Sequence, residues 1–193
     1  NTCIFISGRG SNLLSIIKNS RDYNFPVVVK LIISNNKNAY GLNYAKKYGI
    51  PYKFYNCNNQ IHFERYCLNE LKKRKIKLLC LAGFMKILSK NFINNFGYKI
   101  INIHPSLLPK FKGLDTHKRV LKNKERYTGC TVHYVNSKLD SGNIISQKKI
   151  LIKSNETESS LKQRVLLQEH KLYPKAIRSI FKYTVKTSFF NNK

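Results

Sequence analysis

The chain has 193 residues, 42% of them hydrophobic, enough for one domain with a full core and too few for two of ordinary size. Thirty-six Lys and Arg against nine Asp and Glu give a formal charge of +27, yet the cations are scattered, with no Arg-rich arm and no pattern of stacking aromatics. Compositional bias explains that charge better than a dedicated surface, so no specific nucleic acid is expected, and no apolar run nears the roughly 20 residues of a membrane span.

Asn1 is not an initiator methionine and an apolar run begins at once, so a few native residues are expected to precede it. Nothing in residues 1–10 has the layout of a signal peptide, and a cytoplasmic protein is expected. Thr2 to Ile6 reads as a strand, Ser7 to Asn12 as a glycine-rich turn, and Leu13, Leu14, Ile16 and Ile17 as one face of a helix. Pro26 to Ile33 predicts a second strand, Ala39 to Tyr48 a helix closed by Gly49, and Tyr52 to Tyr55 a third strand. A helix from Phe63 to Lys75 then leads into Lys77 to Ala82, an apolar strand of the kind buried on both faces. Residues 83–88 follow, then a short helix to about Phe96 and a strand from Lys99 feeding Asn102. Beyond it, Thr131 to Val135 and Ile144 to Leu151 predict a strand pair, and Glu156 to Phe181 a long closing helix with a polar, fraying tail from Lys182 to Lys193.

This alternation predicts one α/β domain over 1–193, an open mixed sheet, mostly parallel with an antiparallel strand pair near the C-terminus and helices on both faces. Ligands in such sheets sit beyond the carboxyl ends of the strands, which gathers residues 7–12, 83–88 and 102–109. Cys3, Cys57, Cys67, Cys80 and Cys130 are odd in number, widely spaced and without a CxxC pair, which predicts reduced thiols and neither a disulfide framework nor a zinc site.

Three constellations carry chemistry. Asn102-Ile-His104-Pro puts an amide and an imidazole at i and i+2, on one face of an extended segment, where both can meet one carbonyl. Gly8-Arg-Gly10-Ser11-Asn12 at a helix start offers backbone N–H groups and a helix N-terminus to an anion such as phosphate. Asp140, in the connection between the two late strands, is either an ordinary turn former or the carboxylate that orients His104 and favours its charged form. Alone, the first and third are better read as satisfied turns, and the second is equally well a glycine turn with a capped helix.

Together they resemble the folate-dependent glycinamide ribonucleotide formyltransferases over essentially the whole chain. The likeness rests on Ile6 to Leu13, Ser34-Asn35, Leu81-Ala-Gly-Phe-Met-Lys-Ile-Leu-Ser89, Asn102-Ile-His-Pro-Ser-Leu-Leu-Pro109, Gly129 to Ile145 and Gln168-Glu169-His170. The resemblance implies a Rossmann-like enzyme of purine biosynthesis that moves a formyl group from 10-formyltetrahydrofolate to glycinamide ribonucleotide, with no metal. It implies Asn102, His104 and Asp140 as catalytic residues; Gly10, Ser11 and Asn12 as the phosphate site; and Glu169 at the glycinamide end. Met85, Lys86, Ile87 and Leu88, with Asn102, would hold the folate. The partners expected are these two substrates, with the protein a monomer or homodimer.

Some positions depart from the family pattern: Lys112 and Asp115 replace proline and histidine, Lys86 a frequent arginine and Leu166 a glutamine, and Arg9 adds a cation beside the turn. Methionyl-tRNA formyltransferases share Ser-Leu-Leu-Pro but carry a further domain for which this length leaves no room. Formyltetrahydrofolate hydrolases resemble the chain less around 104–113. A basic nucleic-acid-binding module on the same fold would not require intact Asn102, His104 and Asp140.

Overall fold

The computed structural model describes residues 1–56 and 58–188, with side chains through 181. The elements run β1 (Thr2–Ile6), α1 (Ser11–Asn19), β2 (Val29–Ser34), α2 (Gly41–Lys47), β3 (Tyr52–Phe54), α3 (Gln60–Lys73) and β4 (Leu78–Leu81). They continue with α4 (Lys90–Phe96), β5 (Lys99–His104), α5 (Thr116–Lys122), β6 (Tyr127–Tyr134), β7 (Ile144–Leu151) and α6 (Glu158–Ser188). Among the described residues the strands form one sheet in the order β3-β2-β1-β4-β5-β6-β7. The first five pair in parallel, β6 runs antiparallel to β5, and β7 antiparallel to β6.

Central strands read as apolar throughout because both faces are covered, and every residue of β1 and β4 is buried. One core unites Ile4, Ile6 and Ile32 with Leu13 and Ile16 of α1, Ala45 of α2, Val120 of α5 and Val165 and Tyr173 of α6. The other joins Phe5, Leu31 and Leu79 to Phe63 and Cys67 of α3 and Phe92 and Phe96 of α4. Helices therefore cover both faces, as the alternation predicts. Cys3, Cys67, Cys80 and Cys130 are buried, while Cys57 lies outside the described residues.

Differences from the sequence reading are local. The second strand starts at Val29 rather than Pro26, and α3 begins at Gln60 because Asn59 caps it, its side chain accepting from His62 N. β5 runs through His104, so Asn102 and His104 lie inside the strand's last turn of pairing rather than past it. α5 was not expected; it follows Asp115, whose φ of 53° breaks the chain before it. The last helix runs on to Ser188, and the rest of the predicted fraying tail, 189–193, lies outside the described residues.

Pro174 sits inside α6 and has no N–H, which leaves the carbonyl of His170 without its helical donor. Ser15 of α1 supplies the replacement, its hydroxyl donating to His170 O at 2.6 Å. The proline thus becomes an attachment point between the two helices that carry Asn12 and Glu169.

Candidate active site

The carboxyl ends of β1, β4 and β5 open onto one region, and each contributes a predicted segment. After β4, residues 83–89 lie across the sheet end with Met85, Lys86 and Ile87 exposed and Leu88 buried. Beside them Asn102 and His104 leave the same face of β5, as their spacing requires, and Asp140 comes over from the connection between β6 and β7. Gly142 permits this approach: a Cβ there would stand 1.7 Å from Tyr134 O. These residues line a cavity of about 610 Å³, within the range of small-molecule sites, with Phe84, Met85, Ile87 and Leu114 among its apolar walls.

His104 is 6% exposed and each ring nitrogen faces an oxygen. Its Nε2 donates to Phe111 O at 2.9 Å, and its Nδ1 lies 3.3 Å from Asp140 Oδ2. A carbonyl only accepts, so the Nε2 proton is fixed and Nδ1 is the atom that gains or loses one. Burial is the largest influence on this ring and carries its pKa below the ordinary imidazole value, against the opposing pull of the Phe111 carbonyl and Asp140. Burial thus works against the charged form that Asp140 favours, and moves the ring toward the neutral form.

Burial also penalises the charge on Asp140, but the His133 ring, the Gly113 amide and the nearby His104 together hold its pKa below the usual carboxylate value. Gly113 N donates to Oδ2 at 2.9 Å, and His133 Nε2 lies 3.6 Å from Oδ1. The loop that supplies Phe111 and Gly113 is itself braced by one of the family departures. Lys112 Nζ donates to Ser141 Oγ at 2.5 Å, and Asp115 starts α5.

His133 was not singled out in the sequence. Its Nδ1 donates to Tyr134 O at 2.8 Å, which leaves Nε2 to accept from Asn102 Nδ2 at 3.3 Å. The signal was the β5–β6 register, which sets Asn102 opposite His133, but a sequence does not print register. Phe111 and Gly113 act through backbone groups, which no residue-type motif marks.

A second group lies at the start of α1. Gly10 has φ 72°, and a Cβ on it would stand 2.6 Å from Gly41 Cα, so glycine is required there twice over. Ser11 opens the helix without a side-chain cap, leaving its first amides free for an anion. Asn12 Nδ2 donates to Glu169 Oε2 at 2.6 Å, while its Oδ1 is buried without a partner. Glu169 is 7% exposed; burial pushes its pKa up, and the Asn12 amide only partly offsets this. Gly10, Ser11, Asn12 and Glu169 do not line the 610 Å³ cavity, so the predicted residues form two neighbouring sets.

Residues 1–177 match the family described as formyl transferase. The chain belongs to the formyl transferase family. Over 180 residues it is 36% identical to the phosphoribosylglycinamide formyltransferase of Escherichia coli (strain K12), covering 92% of this chain and 85% of that protein. It is 40% identical over 185 residues to the human trifunctional purine biosynthetic protein adenosine-3, covering 94% of this chain but only 18% of that much longer protein. Among solved structures, phosphoribosylglycinamide formyltransferase from Brucella melitensis superposes with a TM-score of 0.89 at 37% identity, covering 93% of this formyl transferase chain and 94% of that one. No described helix is long and apolar enough to cross a membrane.

Proposed function

We propose that this chain, acting as a single domain, transfers the formyl group of 10-formyltetrahydrofolate to the primary amine of glycinamide ribonucleotide, a step of purine biosynthesis. The observation that carries the reading is the meeting of Asn102, His104 and Asp140 on one wall of a cavity rimmed by Met85 to Leu88. The cavity's volume and its apolar walls with a few convergent polar groups fit a pterin-sized ligand. The folate supplies an already activated one-carbon group.

In this reading Asn102 uses one amide hydrogen on His133 and turns the other to the formyl oxygen, where negative charge develops. His104 Nδ1 takes the proton that the amine loses as its bond to the formyl carbon forms, Asp140 pairs with the imidazolium that results, and the proton passes to N10 of the folate as the formyl carbon–N10 bond breaks. Phe111 O keeps the ring from turning. Gly10 and Ser11 hold the ribonucleotide phosphate at the α1 N-terminus. Asn12 belongs to that phosphate site, and Glu169, which accepts from its amide, receives the glycinamide end.

The rival acceptors are an aminoacyl-tRNA and water. Offering the protein labelled formyl-folate with glycinamide ribonucleotide and formyl-accepting methionyl-tRNA together tests the choice. Label on the ribonucleotide amine is expected, and label on the tRNA, or released as formate at the same rate, overturns the reading.

A further inference from the structure

Ser7 stands where three strand exits meet. It follows β1; its amide donates to Gly83 O at 3.1 Å, reaching the exit of β4. Its hydroxyl donates to Asn35 Oδ1 at 2.7 Å, reaching the exit of β2, and accepts from Met85 N at 2.8 Å. Residues 83–89 have no regular secondary structure, so side-chain ties of this sort set their path.

The far end of that segment is tied to α3. Gln60 Nε2 donates to Ile87 O and to Glu64 Oε1, each at 2.9 Å, and Glu64, 6% exposed, accepts from Ser89 N at 2.7 Å and from the Ser89 hydroxyl. Between these anchors, Met85 and Ile87 stand 64% and 60% exposed. The Ser7 anchor differs from the other in being shared with the glycine turn.

The turn does not itself depend on that hydroxyl. Asn36 Nδ2 donates to Ser7 O and Gly41 N to Gly8 O, both at 3.1 Å, so backbone acceptors hold the turn whether or not Oγ is present. Loss of Oγ leaves Met85 N without its protein partner, while the residues of the α1 N-terminus keep theirs.

We propose that Ser7 is a positioning residue for the formyl donor: its hydroxyl, oriented by Asn35, fixes the backbone of Met85 and with it the wall against which the reduced folate lies. This rests on the assignment of Met85 to Leu88 to the folate. In this role Ser7 acts through Met85, from whose amide its hydroxyl accepts.

Calorimetric titration separates the possibilities, using 5-formyltetrahydrofolate as a non-transferred probe and glycinamide ribonucleotide as the second ligand, with thermal melts as a check on folding. For Ser7→Ala the folate Kd should rise about five- to tenfold, the scale of one orphaned donor, with the ribonucleotide Kd unchanged within about twofold. Ser7→Thr, which keeps the hydroxyl, should restore folate affinity. Asn35→Ala should show a weaker loss of the same kind, and it carries the test if Ser7→Ala does not fold. Unchanged folate affinity, or equal losses for both ligands, overturns the role of Ser7. Absence of folate binding by the wild-type protein instead overturns the functional reading on which it stands.

Discussion

Asp140 Oδ2 lies 3.3 Å from His104 Nδ1 and accepts the Gly113 amide at 2.9 Å, so one oxygen ties β5, the β6–β7 connection and the loop before α5 together. Asp140→Asn preserves the shape and removes the charge. Without the carboxylate the imidazolium formed in the reaction has no counter-ion, and kcat should fall about 100-fold or more. Asp140 also raises the His104 pKa, so the acid limb of the kcat/KM profile should move to lower pH in this variant. Steady-state kinetics across that limb check both effects, and a limb that moves upward contradicts the pairing.

Asn102 donates to His133 through the amide group that the proposed mechanism also turns to the formyl oxygen. For Asn102→Ala, kcat should fall by about two to three orders of magnitude, as for loss of one oxyanion donor, with a smaller change in substrate KM. Pre-steady-state rates with saturating ligands measure this directly.

In wild-type protein the activity should depend on neutral His104. Its pKa lies below the ordinary value of 6.5, so kcat/KM should be flat above about 6.5 and decline on the acid side. Stability has the same sign. His104, His117 and His170 all have pKa values lowered by burial, so the unfolded chain binds more protons as the pH falls from about 6.5 toward the folded values. The melting temperature should therefore drop across that window and stay level above it. Asp140 adds a lower window: its contribution is present above 3.8 and lost as the pH falls through its depressed folded value.

Gly10→Ala forces a Cβ to 2.6 Å from Gly41 Cα at a φ of 72°. About 1–3 kcal/mol of stability should be lost, and ribonucleotide KM should rise much more than folate KM, because the strain falls on the phosphate turn. Chemical denaturation and initial rates test the two parts.

The buried strands were legible because a two-face-covered sheet leaves its central strands apolar without alternation, as β1 and β4 are. Asn102 and His104 were legible because a period of two puts them on one face. Asp140 in a turn is ambiguous by residue type alone, and the resemblance had to distinguish it from an ordinary turn former. His133 was missed because its place opposite Asn102 is a matter of cross-strand register. The burial that opposes a charge on His104 was not legible, because a sequence shows the neighbouring carboxylate but not the low-dielectric surroundings. The anchors on Phe111 and Gly113 are main-chain groups, and Ser7 looked like part of a glycine turn until its hydroxyl was seen against Met85.

Formyl transfer to the ribonucleotide amine is tested most directly by the stoichiometry of turnover. Purified protein is given 10-formyltetrahydrofolate with and without glycinamide ribonucleotide, and deformylated folate and formylated ribonucleotide are followed together. Equal amounts of the two products, with no folate turnover when the ribonucleotide is omitted, are predicted. Folate turnover that proceeds equally well without the ribonucleotide would contradict the account and make the protein a hydrolase.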